Sequence, residues 1–187
     1  MIMVWEGIFF LLVCVGLCAG GLAAYSDLRG MRIPNRYVLI VLVSFLVALG
    51  LGTFVGGAYG FGVWWGHVLA GVFVFVLSYA LYVFSNFGAG DSKLLTAFSF
   101  WIGIKGLPVF LFYVTISGAL LALLALAIGR WKPFGHAKEG SWVARLQKGE
   151  RNVPYGVAIW AGSVIAFFYL DYLAWPSLLG FFSPDLR

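Results

Sequence analysis

Long apolar runs separated by short polar segments dominate the chain. A helix needs about 20 apolar residues to cross a bilayer. Runs of roughly this length or longer occupy residues 7–25, 37–59, 63–84, 107–129 and 154–182, and a shorter run occupies residues 94–104. This pattern predicts an all-α, polytopic membrane protein with five long helices and a sixth, shorter candidate.

The composition agrees with the pattern of apolar runs. Hydrophobic residues make up 63% of the 187 residues and charged residues only 10%, well outside the usual mix for a soluble domain. The runs take up most of the chain and leave no room for a separate soluble domain. We therefore expect a single transmembrane domain, residues 1–187, in the cell membrane.

Basic residues orient the predicted helices. The loop at residues 26–36 contains three arginines, and residues 130–153 contain six lysines and arginines. By the positive-inside rule both loops belong in the cytoplasm. Loops that share a side are joined by an even number of crossings, so the short run at residues 94–104 must also span. The sequence thus predicts six transmembrane helices, a short fourth helix, and both termini outside.

The net charge of +5 follows from this bias toward the cytoplasmic side. It indicates contact with anionic membrane lipids rather than with nucleic acid. Within the second basic loop, the spacing of Trp142, Val143 and Leu146 predicts a short amphipathic helix that lies on the membrane.

Two carboxylates stand at the predicted cytoplasmic margin. Asp27 follows the first run and Asp91 precedes the short one, so the topology places them at the same depth. Ionisable groups in this position are candidates for function. Two carboxylates close together hold one proton between them, so one can deprotonate a water while the other protonates the carbonyl oxygen of a scissile peptide. Such chemistry requires no metal.

Two glycines precede the second aspartate. Gly88 and Gly90 permit positive φ angles and leave the backbone open to an extended substrate peptide. The dipoles of the two predicted helices favour charge on Asp91, at a helix start, and oppose charge on Asp27, at a helix end. Taken singly, each aspartate also fits an ordinary role, because an Asp after glycines is often a helix cap.

Three motifs together resemble those of the type IV prepilin leader peptidases. GAGDSKLL at residues 88–95 resembles the GxGD signature of polytopic aspartic proteases, and SDLRGMRIPNRYV at residues 26–38 resembles the first-aspartate motif of the prepilin peptidases. NVPYGVAIWAG at residues 152–162 resembles the start of the last helix in the short members, which are associated with tight-adherence (Flp) pilus systems.

The resemblance implies an endopeptidase that cleaves the leader from prepilin or pseudopilin substrates at the cytoplasmic face. It implies Asp27 and Asp91 as the catalytic pair and no cofactor. From the matched motifs we predict a substrate-binding role for five further residues, Gly88, Gly90, Lys93, Pro34 and Asn35.

The chain differs in one feature from the long, bifunctional members of the family. Those resemble each other in an N-terminal cytoplasmic region with two CxxC pairs, associated with methylation of the new N-terminus. Here only MIMVWE precedes the first run, and the two cysteines, Cys14 and Cys18, stand four apart within it. We therefore expect no N-methyltransferase activity and no metal site.

Two other classes of protein fit the same composition. A small transporter or channel would use acids to bind a cation or relay protons, but it should carry ionisable groups near the bilayer midplane, where this sequence has none. A catalytically silent scaffold of an assembly machine would show the same apolar runs.

Overall fold

The computed structural model describes residues 2–54, 63–85, 87–133, 141–150 and 152–173. These residues form six helices and no strand, which confirms the all-α prediction. The helices are α1 (Ile2–Gly30), α2 (Asn35–Phe54), α3 (Trp64–Phe84), α4 (Ala89–Trp131), α5 (Trp142–Gln147) and α6 (Tyr155–Tyr169).

Four of these helices are long and apolar enough to cross a membrane. They are Gly7–Gly30 within α1, Asn35–Thr53 within α2, and the whole of α3 and α4, while α6 is apolar but shorter. Many large apolar side chains on α2 and α3 are exposed, among them Leu39, Phe73 and Val76. Exposed apolar surface along several long helices suits a hydrocarbon environment, so the chain is a multi-pass membrane protein.

Helix α4 is broken at Gly103. This residue has φ 66° and ψ 177°, outside the helical region, and only glycine adopts such a conformation without steric cost. A Cβ atom there would also lie 2.8 Å from the His67 ring. The break divides α4 into a first limb, residues 89–102, and a second limb, residues 104–131.

Contacts with α6 show that the chain reverses direction at this break. From Phe87, two residues before the first limb, to Phe98 within it, the contacts run from the start of α6 to its end, in the pairs Phe87–Tyr155 and Phe98–Phe167. Along the second limb they run back, in the pairs Gly106–Leu170 and Gly118–Tyr155. The two limbs are therefore antiparallel and correspond to the predicted short fourth helix and the predicted fifth helix. At 1.5 Å per residue the first limb is about 21 Å long.

An aromatic core holds the first limb against its neighbours. Trp101 and Phe98 are fully buried, and the Trp101 indole donates a hydrogen bond to the Val41 carbonyl of α2 at 2.9 Å. The Phe98 ring fills the space that a side chain at Gly20 of α1 would need. This packing sets the first limb of α4 between α1, α2 and α6.

Helix α6 is shorter than the apolar run that contains it. The run extends to residue 182, but the helix ends at Tyr169 and the chain turns at residues 170–173. Asp171 has φ 60°, a left-handed conformation that stops a helix. Residues 174–182 of the run lie outside the described part of the chain, as do residues 55–59 of the second run.

The predicted short helix in the second basic loop is present as α5. Its N-cap is Ser141, whose side chain accepts a hydrogen bond from the Ala144 amide. Leu146 and Ala144 are buried, so one side of α5 packs against the rest of the protein.

The break in α4 leads to a stability prediction. In Gly103→Ala the new Cβ atom meets the His67 ring and the residue must hold a positive φ, each of which costs about 1 kcal/mol or more. We expect a clearly lower midpoint of thermal unfolding in detergent. Gly50→Ala is the control, because open space surrounds Gly50 and alanine favours a helix by up to about 1 kcal/mol. Equal midpoints for the two variants would contradict the account of Gly103.

Candidate active site

Asp27 and Asp91 line one cleft at a single end of the bundle. Asp27 lies in the last turn of α1 and Asp91 in the first turn of α4. The cleft has a volume of about 460 Å³, and its other walls are residues 31–35 and residues 88–90. The fold thus brings the two predicted carboxyl groups to one cleft.

The cleft also contains most of the residues predicted to bind substrate. Gly88, Gly90, Pro34 and Asn35 belong to its walls. Lys93 is outside the wall, but its Nζ donates a hydrogen bond to Asn35 Oδ1 at 3.1 Å. Lys93 therefore stands at the rim and joins the start of α2 to the start of α4.

Asp27 is held by the N-terminus of α6. Its side chain is only 5% exposed, and Oδ2 accepts a hydrogen bond from the backbone N–H of Gly156 at 2.9 Å. The first N–H groups of a helix have no partner within the helix, and the helix dipole favours negative charge at that end. The start of α6 thus supplies both a donor and a partial positive charge to Asp27.

Asp91 has a different environment. Its Oδ1 atom is buried and has no hydrogen-bond partner among the described residues. Its Oδ2 atom fills the space that a side chain on residue 88 would need. One oxygen of Asp91 is therefore unsatisfied and the other is packed against the glycine turn.

The glycines of the turn act through space rather than through unusual φ angles. Both residues are free to adopt positive φ angles, but Gly88 has φ −70° and ψ 136°, and Gly90 is helical within α4. A side chain at Gly90 would have its Cβ 3.1 Å from Ile33 Cβ. The lack of side chains lets the turn approach Asp91 on one side and the α1–α2 loop on the other.

Two residues of the site, Ile33 and Gly156, were not predicted to act there. A Cβ atom on Gly156 would lie 3.1 Å from Ile33 Cδ1 and 3.0 Å from Asp27 Oδ2. Ile33 therefore packs between Gly90 of α4 and Gly156 of α6. Both belong to motifs that are visible in the sequence, but only the approach of α6 to α1 gives them their role.

Three hydrogen bonds fix the end of α1 beyond Asp27. The Asp27 carbonyl accepts from the Met31 amide at 2.8 Å, and Ser26 Oγ donates to the Arg32 carbonyl at 2.9 Å. From α5, Arg145 Nη2 donates to the Arg29 carbonyl at 2.6 Å. These bonds stiffen the segment that carries the first aspartate.

The arrangement suits acid–base chemistry. Two carboxyl groups that share a cleft can together accept a proton from water and donate one to a carbonyl oxygen. Within the described stretches of the chain, no three His, Cys, Asp or Glu side chains are grouped so that they could hold a metal ion.

Comparison with known proteins gives two matches. Residues 7–123, which include both aspartates, match the model of the type IV leader peptidase family. The chain is 30% identical over 152 residues to the prepilin leader peptidase/N-methyltransferase of Bacillus subtilis (strain 168), covering 80% of this chain and 52% of that protein. The chain thus spans about half the length of this curated relative. No solved structure matches the chain.

The hydrogen bond from α5 to α1 leads to a second stability prediction. Arg145→Ala removes a charge-assisted donor to the end of α1, and because this bond is exposed we expect it to contribute about 1 kcal/mol. We expect a thermal unfolding midpoint a few degrees below that of the wild type. Lys148→Ala serves as the control, because Lys148 is exposed at the end of the same helix. A midpoint for Arg145→Ala equal to that of the control would contradict the prediction.

Proposed function

This chain belongs to the type IV leader peptidase family, and on that basis we propose that it is a membrane-embedded aspartic endopeptidase. Its proposed substrates are prepilin or pseudopilin precursors, from which it removes the leader at the cytoplasmic face. The proposal covers peptide cleavage alone. It agrees with the first activity in the name of the Bacillus subtilis relative, a prepilin leader peptidase/N-methyltransferase.

One observation carries the proposal: both aspartates line the same cleft. They are 64 positions apart in the sequence and come from different helices. They nevertheless share a cleft of about 460 Å³, and two carboxyl groups that are close together disfavour charge on each other. A structural helix cap does not require a second carboxyl group beside it, whereas an aspartic peptidase does.

The proposed reaction uses the pair as base and acid. One carboxylate takes a proton from water as the water oxygen attacks the scissile carbonyl carbon, and the other carboxyl group gives its proton to the carbonyl oxygen. The tetrahedral intermediate then collapses. The first group returns its proton to the leaving amine nitrogen, the C–N bond breaks, and the second group takes a proton from an intermediate hydroxyl. Both groups end as they began.

The cleft walls suit an extended peptide. Gly88 and Gly90 line the cleft with backbone that packs against Asp91 and Ile33. Pro34 and Asn35 form another part of the wall at the start of α2. We assign the contact with the polar leader to the rim where Lys93 meets Asn35, because a substrate with a cytoplasmic leader would enter from that side.

The proposed topology has six crossings: α1, α2, α3, the two limbs of α4, and α6. The aspartate end carries the exposed Arg29, Arg32, Arg36 and Lys148, so the positive-inside rule assigns it to the cytoplasm and both termini to the outside. The first limb of α4, about 21 Å long, is shorter than the usual hydrocarbon thickness of about 30 Å. Local thinning of the bilayer would accommodate it.

The distribution of charge favours a peptidase over the alternative of a transporter or channel. Among the described residues, the buried polar side chains of α3 and the first limb of α4 are three serines, Ser78, Ser92 and Ser99, and His67, which lies near the Gly103 end. Ser92 Oγ donates to Ser78 Oγ at 2.8 Å, and Thr96 Oγ1 donates to the Ser92 carbonyl at 2.8 Å. These hydroxyl groups are hydrogen-bonded to each other and to a backbone carbonyl. They are not ionisable, whereas proton relays use chains of ionisable side chains across the bilayer.

Substitution of the aspartates tests the proposal. Co-expression with a candidate prepilin, followed by gel shift, should show leader removal by the wild type. Because general acid–base catalysis contributes about 10²–10⁴-fold, Asp27→Asn and Asp91→Asn should each reduce cleavage below detection. Asp171→Asn is the matched control: it makes the same change at an exposed acid, and asparagine tolerates its left-handed conformation. Cleavage at the wild-type rate by either dyad variant would refute the pair.

Accessibility labelling tests the topology. In a variant with Cys14 and Cys18 replaced by serine, single cysteines at Lys148 and at Lys105 report on the two ends of the bundle. We expect a membrane-impermeant maleimide to label Lys105→Cys in intact cells and Lys148→Cys only after permeabilisation. Labelling of both positions from the same side would rule out the six crossings, and the reverse pattern would move the cleft to the outside.

A further inference from the structure

The two aspartates differ in the hydrogen bonds that their oxygens receive. Asp27 Oδ2 accepts the Gly156 N–H at 2.9 Å, whereas Asp91 Oδ1 is buried and has no partner among the described residues. A hydrogen bond to a charged acceptor is about twice as strong as one to a neutral acceptor, and a buried oxygen with no donor disfavours charge. The contacts therefore stabilise charge on one member of the pair and oppose it on the other.

We infer that the N-terminus of α6 assigns the roles of the pair: Asp27 is the carboxylate that deprotonates water, and Asp91 carries the shared proton. This inference rests on the proposed peptidase function and adds the direction of proton flow to it. Water gives its proton to Asp27, and Asp91 gives its proton to the scissile carbonyl oxygen. When the C–N bond breaks, Asp27 protonates the amine and Asp91 recovers a proton from the intermediate.

The assignment reverses the one that the sequence favoured. The sequence argument considered only the dipole of the helix that carries each aspartate, and it favoured charge on Asp91. The structure adds a third dipole, that of α6, which points directly at Asp27. A direct hydrogen bond at 2.9 Å to the carboxylate outweighs the opposing dipole of α1, because hydrogen bonds to ionised acceptors are the strong ones.

Gly156 is a positioning residue in this scheme, because it acts on the reaction through Asp27. A Cβ atom at this position would lie 3.0 Å from Asp27 Oδ2 and 3.2 Å from Asp27 Cβ. Any side chain would therefore press on the carboxyl group that the amide holds. Glycine thus allows the close approach of α6 to Asp27, and its helical conformation is ordinary.

The charged groups around the pair do not provide the same discrimination. Arg29 lies 4.6 Å above the Tyr25 ring, Lys93 donates to Asn35, and Arg145 donates to the Arg29 carbonyl. In these contacts the partners are neutral, so the positive charges reach both carboxyl groups through space. Arg32 lines the cleft that both aspartates share. The Gly156 N–H, by contrast, donates its hydrogen bond to Asp27 alone.

Infrared spectroscopy of the purified protein tests the assignment without any substrate. At neutral pH we expect a protonated carboxyl C=O band in the wild type, which disappears in Asp91→Asn. In Asp27→Asn, which also removes the charge that opposes ionisation of Asp91, the band should remain at mildly acidic pH because Asp91 Oδ1 is buried without a donor. The Asp171→Asn spectrum should keep the band, since that acid is exposed. Loss of the band in Asp27→Asn with retention in Asp91→Asn would reverse the roles, and absence of the band in the wild type would overturn the shared proton.

A kinetic experiment separates positioning by Gly156 from a merely structural role. In Gly156→Ala, displacement of Asp27 should lower kcat by up to about 100-fold with a smaller effect on KM, and should move the acid limb of the pH profile to higher pH. Gly162→Ala is the control in the same helix: its Cβ would meet Val114 at 2.6 Å, away from the cleft, so it should lower stability without moving the acid limb. An unmoved acid limb in Gly156→Ala would overturn the role of Gly156.

The two experiments also separate this inference from the proposed function. A wild type that cleaves no prepilin-like substrate would refute the peptidase, whatever the infrared spectra show. A wild type that cleaves prepilin while its protonated band belongs to Asp27 would retain the peptidase and refute only the assignment.

Discussion

The reversal of the chain at Gly103 is the constraint on which the arrangement of the helices depends. A continuous helix over Ala89–Trp131 would be about 64 Å long at 1.5 Å per residue, roughly twice the hydrocarbon thickness of a bilayer. The left-handed backbone of one glycine divides it into two antiparallel limbs. Both limbs then pack along α6, and the first limb lies among α1, α2 and α6 with its start at the level of the end of α1.

This packing brings together the helix ends that form the site. The first limb presents Asp91 at its first turn, α1 presents Asp27 at its last turn, and α6 begins beside them at Gly156. Small residues allow the approach at each contact: Gly20 faces the Phe98 ring, and Gly90 faces Ile33. Larger side chains at these positions would separate the helices whose ends form the cleft. The positions of the two carboxyl groups therefore depend on close packing within the bundle.

Membership in the type IV leader peptidase family and this geometry support the same chemistry by separate routes. The family match includes both aspartates but ends at residue 123, before α6. The contact of Gly156 with Asp27 is thus a feature that the structure adds. It suggests how a pair of identical side chains acquires two roles: the neighbouring helix end, rather than the side chains themselves, makes them different.

The sequence by itself determined the helical class, most of the helix positions and the pair of aspartates. Apolar runs of bilayer length and the clustering of arginine and lysine are local properties, and they suffice to predict a short helix before residue 104 and acids at one end. Only the tertiary structure decided which groups meet: the His67 ring against Gly103, the turn that ends α6 at Tyr169, and the Gly156 amide on Asp27. Each of these depends on the approach of segments far apart in the chain, and so does the finding that Gly88 and Gly90 provide space rather than positive φ angles. Periodicity and charge indicate whether a residue is exposed to lipid or to water. Close contacts and their hydrogen bonds, by contrast, form only once the helices have packed.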